Sequence, residues 1–183
     1  MSHTSPEQRI PLAQAIPIAE AVCAMLQPFC ERITVAGSIR RQRPTIGDLE
    51  VVCIPRQVPT GLFGDELTVD PGFITAVNRW TKIKGEPTGR YTQRVLPDGI
   101  TLDLFIVDAA TWGMTLAVRT GSADYSAKVL GTRWAALGYT SRESVLYRYG
   151  RPTYIREEAD LFTLLSLPWT EPWEREWPQS STR

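Results

Sequence analysis

The chain reads as an α+β protein, a mixed β-sheet with helical cover followed by a smaller α+β subdomain. Three observations predict this. Runs rich in Val, Ile, Leu and Thr around residues 33–36, 48–54, 82–84, 90–96 and Asp103 have strand character. Helical stripes interleave with them, beginning with Leu12, Ile16, Ala19, Val22, Cys23 and Leu26. After about Asp108 the composition shifts toward helix, which divides the chain into residues 1–108 and 109–183. With 183 residues and 43% apolar content, the chain can bury one good core or two modest ones.

The first stripe predicts an amphipathic helix over residues 12–30, its apolar side toward a core. A strand over 33–36 follows, then Gly37, which permits a tight turn, and Ser38, placed to cap a helix whose N–H groups face a phosphate. Residues 48–54 form the next strand. Successive side chains on a strand point to opposite faces, so Asp48 and Glu50 project together, about 7 Å apart. Leu49, Val51 and Cys53 enter the core, while Val52 and Ile54 continue the carboxylate face. The Pro- and Gly-rich stretch 55–72 predicts a loop and 73–80 a short helix. Strands over 82–84 and 90–96 lead through the turn Pro97-Asp98-Gly99 into a strand carrying Asp103. If that strand neighbours the first, Asp103 stands opposite Asp48 and Glu50.

Beyond Asp108, residues 112–118 and 123–137 read as helices, Gly138 stopping the second, and 139–149 as a strand pair. Glu157 and Glu158 open a last helix. Trp169, Trp173 and Trp177 recur four apart, but prolines break any helix through them. Packing at the domain seam is their expected role, with base stacking as the functional alternative.

Carboxylates at this spacing suit divalent cations. Magnesium takes oxygen ligands, usually one or two protein carboxylates with phosphates and water. Three carboxylates and a nucleoside triphosphate therefore suffice for two ions, which can stabilise the attacking and leaving oxygens of an in-line displacement. A lone D-x-E is common on exposed strands. The Gly-Ser turn, the cationic side chains Arg40, Arg41 and Arg43, the D-x-E strand and a distant Asp in this order are not.

These residues resemble the nucleotidyltransferase superfamily and, within it, the family X DNA polymerases. Members carry GS-x-RR, then GD-x-D, then a third Asp on a later strand; here the positions read Gly37, Ser38, Arg40, Arg41, Gly47, Asp48, Glu50 and Asp103. Arg119, Thr120, Gly121 and Ser122 resemble the family's Tyr-Phe-Thr-Gly-Ser segment beside the sugar of the incoming nucleotide. The run 152–175, with Leu167, Pro168, Pro172 and Arg175, resembles its C-terminal ending. The resemblance spans about residues 12–177.

It implies a nucleotidyltransferase palm followed by a nucleotide- and DNA-binding subdomain, a minimal form without the lyase and helix-hairpin-helix domains of larger members. Asp48 and Glu50 would bind two Mg2+ (or Mn2+) ions. Asp103 would complete the catalytic one and accept the proton of a primer 3′-hydroxyl. Ser38 and Arg41 would hold the triphosphate, beside the Gly37 turn and a backbone N–H from Gly47. The partners implied are dNTP and primer-template or gapped DNA. Transfer without a template, to nucleic-acid ends or a protein, and a catalytically silent nucleic-acid-binding relative are the other readings. Three departures stand out: Glu50 replaces the usual Asp, Val118 and Arg119 replace an aromatic pair, and Ser126 and Leu130 stand where larger polar and basic residues contact base or template. Low fidelity is the expectation.

Net charge is zero, but it is unevenly divided. Residues 119–156 carry seven Lys/Arg against Asp124 and Glu143, and 157–177 carry six acids against Arg175. The basic block, with Lys128, Arg133 and Arg148, is the expected DNA-backbone contact. Cys23, Cys30 and Cys53 are odd in number and read as free thiols rather than bridges. The single histidine, His3, lies in a polar tail, which argues against histidine catalysis and a Cys/His zinc site. No apolar run approaches the roughly 20 residues of a membrane span, and residues 1–9 lack a secretory apolar segment. A cytoplasmic monomer is expected.

Overall fold

The computed structural model describes residues 9–61 and 66–177, so His3 and the rest of the 1–8 segment lie outside the described residues. The chain forms two compact units, Met1–Val107 and Asp108–Arg183.

In the first unit, β1 (Ile10–Pro11), α1 (Leu12–Leu26), β2 (Cys30–Val35), α2 (Gly37–Arg40), β3 (Thr45–Ile46) and β4 (Asp48–Pro55) come in turn. Then follow β5 (Gln57–Thr60), β6 (Glu66–Val69), α3 (Pro71–Val77), β7 (Thr81–Gly85), β8 (Tyr91–Val95) and β9 (Thr101–Ile106). The main sheet has the order β2-β4-β9-β8-β7, with β4 and β9 parallel and the other neighbours antiparallel. The period-two alternation decides its two faces. Leu49, Val51 and Cys53 of β4, with Leu102, Leu104 and Ile106 of β9, pack against Ala19, Val22 and Leu26 of α1 and Phe73, Ala76 and Val77 of α3. Each large apolar side chain so buried contributes about 1.5–3 kcal/mol. Asp70 caps α3, accepting from the Gly72 N–H at 2.7 Å, and Pro71 occupies a position where the missing N–H costs no hydrogen bond.

Several expectations need correction. The predicted helix over 12–30 ends at Leu26, and residues 27–29 form a 3-10 turn. Its buried stripe is Ala15, Ala19, Val22 and Leu26, with Ile16 39% exposed, because small alanines let the helix lie close to the sheet. Leu12–Phe29 reaches a mean hydropathy of 1.3 over 18 residues, long and apolar enough by composition to cross a membrane. The expectation that no run approaches that length was therefore too strict, although α1's buried stripe belongs to the sheet's core. The expected loop over 55–72 contains the antiparallel pair β5 and β6. Its short strands were hidden by Pro59 and by the Pro and Gly content around them, and residues 62–65 lie outside the described residues.

Arg94 was read as part of an ordinary strand, yet it is 1% exposed. Its Nη2 donates to Asn78 Oδ1 at 3.1 Å, and its Nε is buried without a partner among the described residues. All three cysteines are free thiols. Burial pushes the Cys23 thiol up to about 11 and Cys53 well above its ordinary value, whereas a hydrogen bond with Cys53 lowers Cys30.

The second unit opens with α4 (Trp112–Thr120), α5 (Ala123–Tyr125), a π-helical segment Ser126–Gly131 and α6 (Thr132–Ala136), so the predicted helix over 123–137 changes its hydrogen-bond pattern midway. The sheet β10 (Thr140–Arg142), β11 (Val145–Arg148) and β12 (Arg151–Thr153) is antiparallel throughout. The third strand was missed because Pro152 reads as a breaker; as β12 is an edge strand, its proline is tolerated. Helix α7 (Glu158–Leu164) starts at a capping box in which the Glu157 N–H donates to Asp160 Oδ2 at 2.9 Å. Met114, Ala117, Tyr125, Leu130, Leu146, Ile155, Leu161, Phe162 and Leu165 form the core. Gly113 is required where α4 meets the chain before α7, since a Cβ there would lie 2.3 Å from the Glu157 carbonyl carbon.

The C-terminal run is pinned by one side chain. Arg175 is fully buried, and its Nη1 donates to Glu158 Oε1 at 2.5 Å while its Nε donates to the Thr170 carbonyl at 2.9 Å. Its guanidinium carbon lies 4.9 Å from the ring centroids of both Phe162 and Trp169, and its carbonyl accepts from the Ser122 N–H at 2.9 Å. Trp169, Trp173 and Trp177 are each 40% to 51% exposed.

Candidate active site

The face of the main sheet opposite the apolar core carries the carboxylates. In the parallel pairing of β4 with β9, Glu50 is the register partner of Asp103, and Asp48 that of Thr101. Neighbouring strands lie about 4.7–4.9 Å apart. Asp48, Glu50 and Asp103 therefore share one face, all half-buried. On the far side of β9, Gln93 of β8 pairs with Asp103 and Tyr91 with Phe105. Tyr91 Oη donates to Asp103 Oδ1 at 2.6 Å, and Gln93 Nε2 donates to the same oxygen at 2.8 Å. The Tyr91 ring lies 5.3 Å from that of Phe105, and Lys84 Nζ lies 5.2 Å from its centroid. Neither Tyr91 nor Gln93 was singled out in the sequence. Their period-two placement on the strand before the Pro97-Asp98-Gly99 turn was the available signal.

The Gly37 turn sits against this carboxylate face. Gly37 has φ 59°, and a Cβ there would fall 1.9 Å from Glu50 Oε2. Only glycine provides both the left-handed backbone and the space. Gly37→Ala is expected to displace the Glu50 carboxylate and, if this face carries out the transfer proposed below, to lower its single-turnover rate at least tenfold. The Ser38 hydroxyl oxygen is buried with no hydrogen-bond partner among the described residues. Its expected capping role is not what the structure shows: Ala36 is the N-cap of α2, no side chain caps it, and the helix runs only from Gly37 to Arg40. A single turn has little aligned dipole, so its attraction for an anion would be weak beyond its local N–H groups. Arg41 directly follows α2, its backbone N–H donating to the Gly37 carbonyl at 3.1 Å, and Gly47 immediately precedes β4.

The carboxylates do not close into a ready-made ion cage. Among the described residues no group of three or more His, Cys, Asp and Glu side chains converges as a metal site. At Asp103, Oδ1 accepts from two donors. The donor set nevertheless fits magnesium, which is held by one or two carboxylates with the remaining positions supplied by phosphates and water. The unpartnered Ser38 hydroxyl fits a phosphate oxygen.

In the second unit, Arg119 is exposed at the end of α4 and Thr120 is buried. Gly121 ends the helix at φ 71°, and the Ser122 hydroxyl caps α5 by accepting from the Tyr125 N–H at 3.2 Å. Ser126 and Leu130, two of the departures, have structural work: Ser126 Oγ donates to the Val118 carbonyl at 3.0 Å, and Leu130 is fully buried. Of the expected DNA contacts, Lys128 pairs with Asp124 at 3.3 Å in an exposed setting. Arg133 Nε donates to the Leu165 carbonyl at 2.7 Å, stabilising the C-terminus of α7. Arg148 lies on the rings of Tyr139 and Tyr149, at 5.6 and 5.3 Å. A count of charges could not reveal these partners.

No match was found among the curated proteins. Residues 115–176, within the second unit, match the family model described as DNA polymerase beta thumb, which supports a fold related to that of the family X polymerases.

Proposed function

We propose that the protein transfers a nucleotidyl group from a dNTP to a DNA 3′-hydroxyl in a metal-dependent reaction. The observation that carries this reading is the register of Glu50 with Asp103 on neighbouring parallel strands, two residues from Asp48, on the sheet face away from the core. Phosphoryl transfer needs positioning and charge neutralisation more than reactive side chains, and three carboxylates on one face could hold the cations that supply the neutralisation. Asp48, Glu50 and Asp103 would hold two Mg2+ or Mn2+ ions, which when bound neutralise charge on the phosphates and polarise the attacking hydroxyl. The Ser38 hydroxyl would donate to the triphosphate, and Arg41 would add a cation there. Asp103 would take the proton from the 3′-hydroxyl. The similarity of 115–176 to a polymerase thumb supports DNA as the partner.

Primer extension on gapped and recessed DNA, with each dNTP alone and all four together, tests this. Templated extension in Mg2+ or Mn2+ is expected, with frequent mismatches. Extension regardless of template would instead place the protein among untemplated transferases, and none with any acceptor would overturn catalysis. If Lys128, Arg133 and Arg148 neutralise phosphates, the logarithm of DNA affinity should fall with the logarithm of salt by about 0.9 per contact. A flat dependence would sink that interface.

A further inference from the structure

We infer that Tyr91 and Gln93 are positioning residues that fix the rotation of the Asp103 carboxylate and so decide which of its oxygens is offered to an ion and to the 3′-hydroxyl. This rests on the nucleotidyl-transfer reading. Both donors reach one oxygen, Oδ1, at 2.6 and 2.8 Å, and both come from β8. Glu50 stands on the opposite flank of β9, in register with Asp103. Two donors on one oxygen turn a side chain with a broad terminal torsion into one held in a single orientation. Oδ2, which neither donor reaches, is then the oxygen that Asp103 would offer to an ion.

The supports are themselves held. Tyr91 packs against Phe105 and lies beneath Lys84, and Gln93 is set by the β8–β9 register. The arrangement is the carboxylate counterpart of the outer hydrogen bonds that orient metal ligands elsewhere. Losing such a partner typically costs about 10–100-fold in metal affinity or activity.

Tyr91→Phe keeps the ring and deletes one donor, and Gln93→Met keeps volume and deletes the other. The first readout is Mn2+ titration of the full-length protein without nucleotide, followed by electron paramagnetic resonance. Asp103→Asn provides the reference for a lost ligand. Each single variant is expected to weaken Mn2+ binding about tenfold, and the pair to approach Asp103→Asn, with unchanged circular dichroism. The second readout is extension kinetics, in which kcat falls about tenfold per variant while KM for dNTP stays within twofold. Gln93→Asn, whose shorter amide can still donate, is expected to recover part of the loss.

Unchanged Mn2+ affinity in Tyr91→Phe and Gln93→Met, with Asp103→Asn clearly weakened, would overturn the inference. So would a rise in KM at constant kcat, which would make them substrate contacts. If the wild type binds Mn2+ through Asp103 but extends no primer, the transfer reading fails while the titration still decides the positioning role. If the wild type binds no Mn2+ at this face, the inference falls with it.

Discussion

Asp103→Asn is expected to reduce nucleotidyl transfer about a thousandfold or more while leaving the fold unchanged. The substitution keeps volume, and the carboxamide oxygen of asparagine can still accept from Tyr91 Oη and Gln93 Nε2, so the links between β8 and β9 survive. What it removes is the negative charge that would hold an ion and take the proton. Metal-ion stabilisation is worth several kcal/mol in the transition state, and each 1.36 kcal/mol is a factor of ten. Asp48→Asn and Glu50→Gln should fall in the same range. Single-turnover primer extension with circular dichroism in parallel is the measurement. Activity within about threefold of wild type, with an unchanged spectrum, would reject the role assigned to Asp103. Glu50 adds a finer discrimination because its carboxylate lies against Gly37. Glu50→Asp shortens the side chain, moving the carboxylate away from that turn, so a lower rate is expected from this variant too.

The legible parts of the fold were those in which the pattern and the burial share a period. Asp48, Glu50 and Asp103 could be placed on one face because strand alternation leaves few choices once Leu49, Val51, Leu102 and Leu104 are core. Gly37 was legible as a turn, but the reason that no larger residue fits lies in the approach of Glu50, a contact between residues 13 apart that no local pattern encodes. Tyr91 and Gln93 escaped for the same reason: their role exists only through the β8–β9 register. The β5–β6 hairpin and β12 were missed because proline and glycine content is a local signal, whereas edge pairing is a tertiary one. Charge counting is blind to such partners. Arg133 and Arg94 differ little in the sequence, yet one stabilises a helix end and the other is buried beside Asn78.

Arg175→Met is expected to destabilise the second unit by about 3–5 kcal/mol. The side chain is fully buried and links two places, Glu158 at the start of α7 and the Thr170 carbonyl, while the Arg175 backbone carbonyl, which methionine keeps, accepts from the Ser122 N–H. Methionine fills much of the space between Phe162 and Trp169 but leaves the Glu158 carboxylate, in a residue 5% exposed, without the guanidinium beside it. Losing the cation beside a buried carboxylate costs far more than the net worth of the pair it came from. The double variant Glu158→Leu, Arg175→Met is therefore expected to recover most of the loss, since apolar replacement of both partners of a buried pair is often near neutral. Urea unfolding followed by tryptophan fluorescence reads the transition, with Trp169 beside the altered side chain as the local reporter. A single-variant cost under about 1 kcal/mol would show that the ring contacts, rather than the ion pair, hold the terminal run. A double variant as unstable as the sum of the two singles would show that the Glu158 and Arg175 sites are energetically independent despite their 2.5 Å contact.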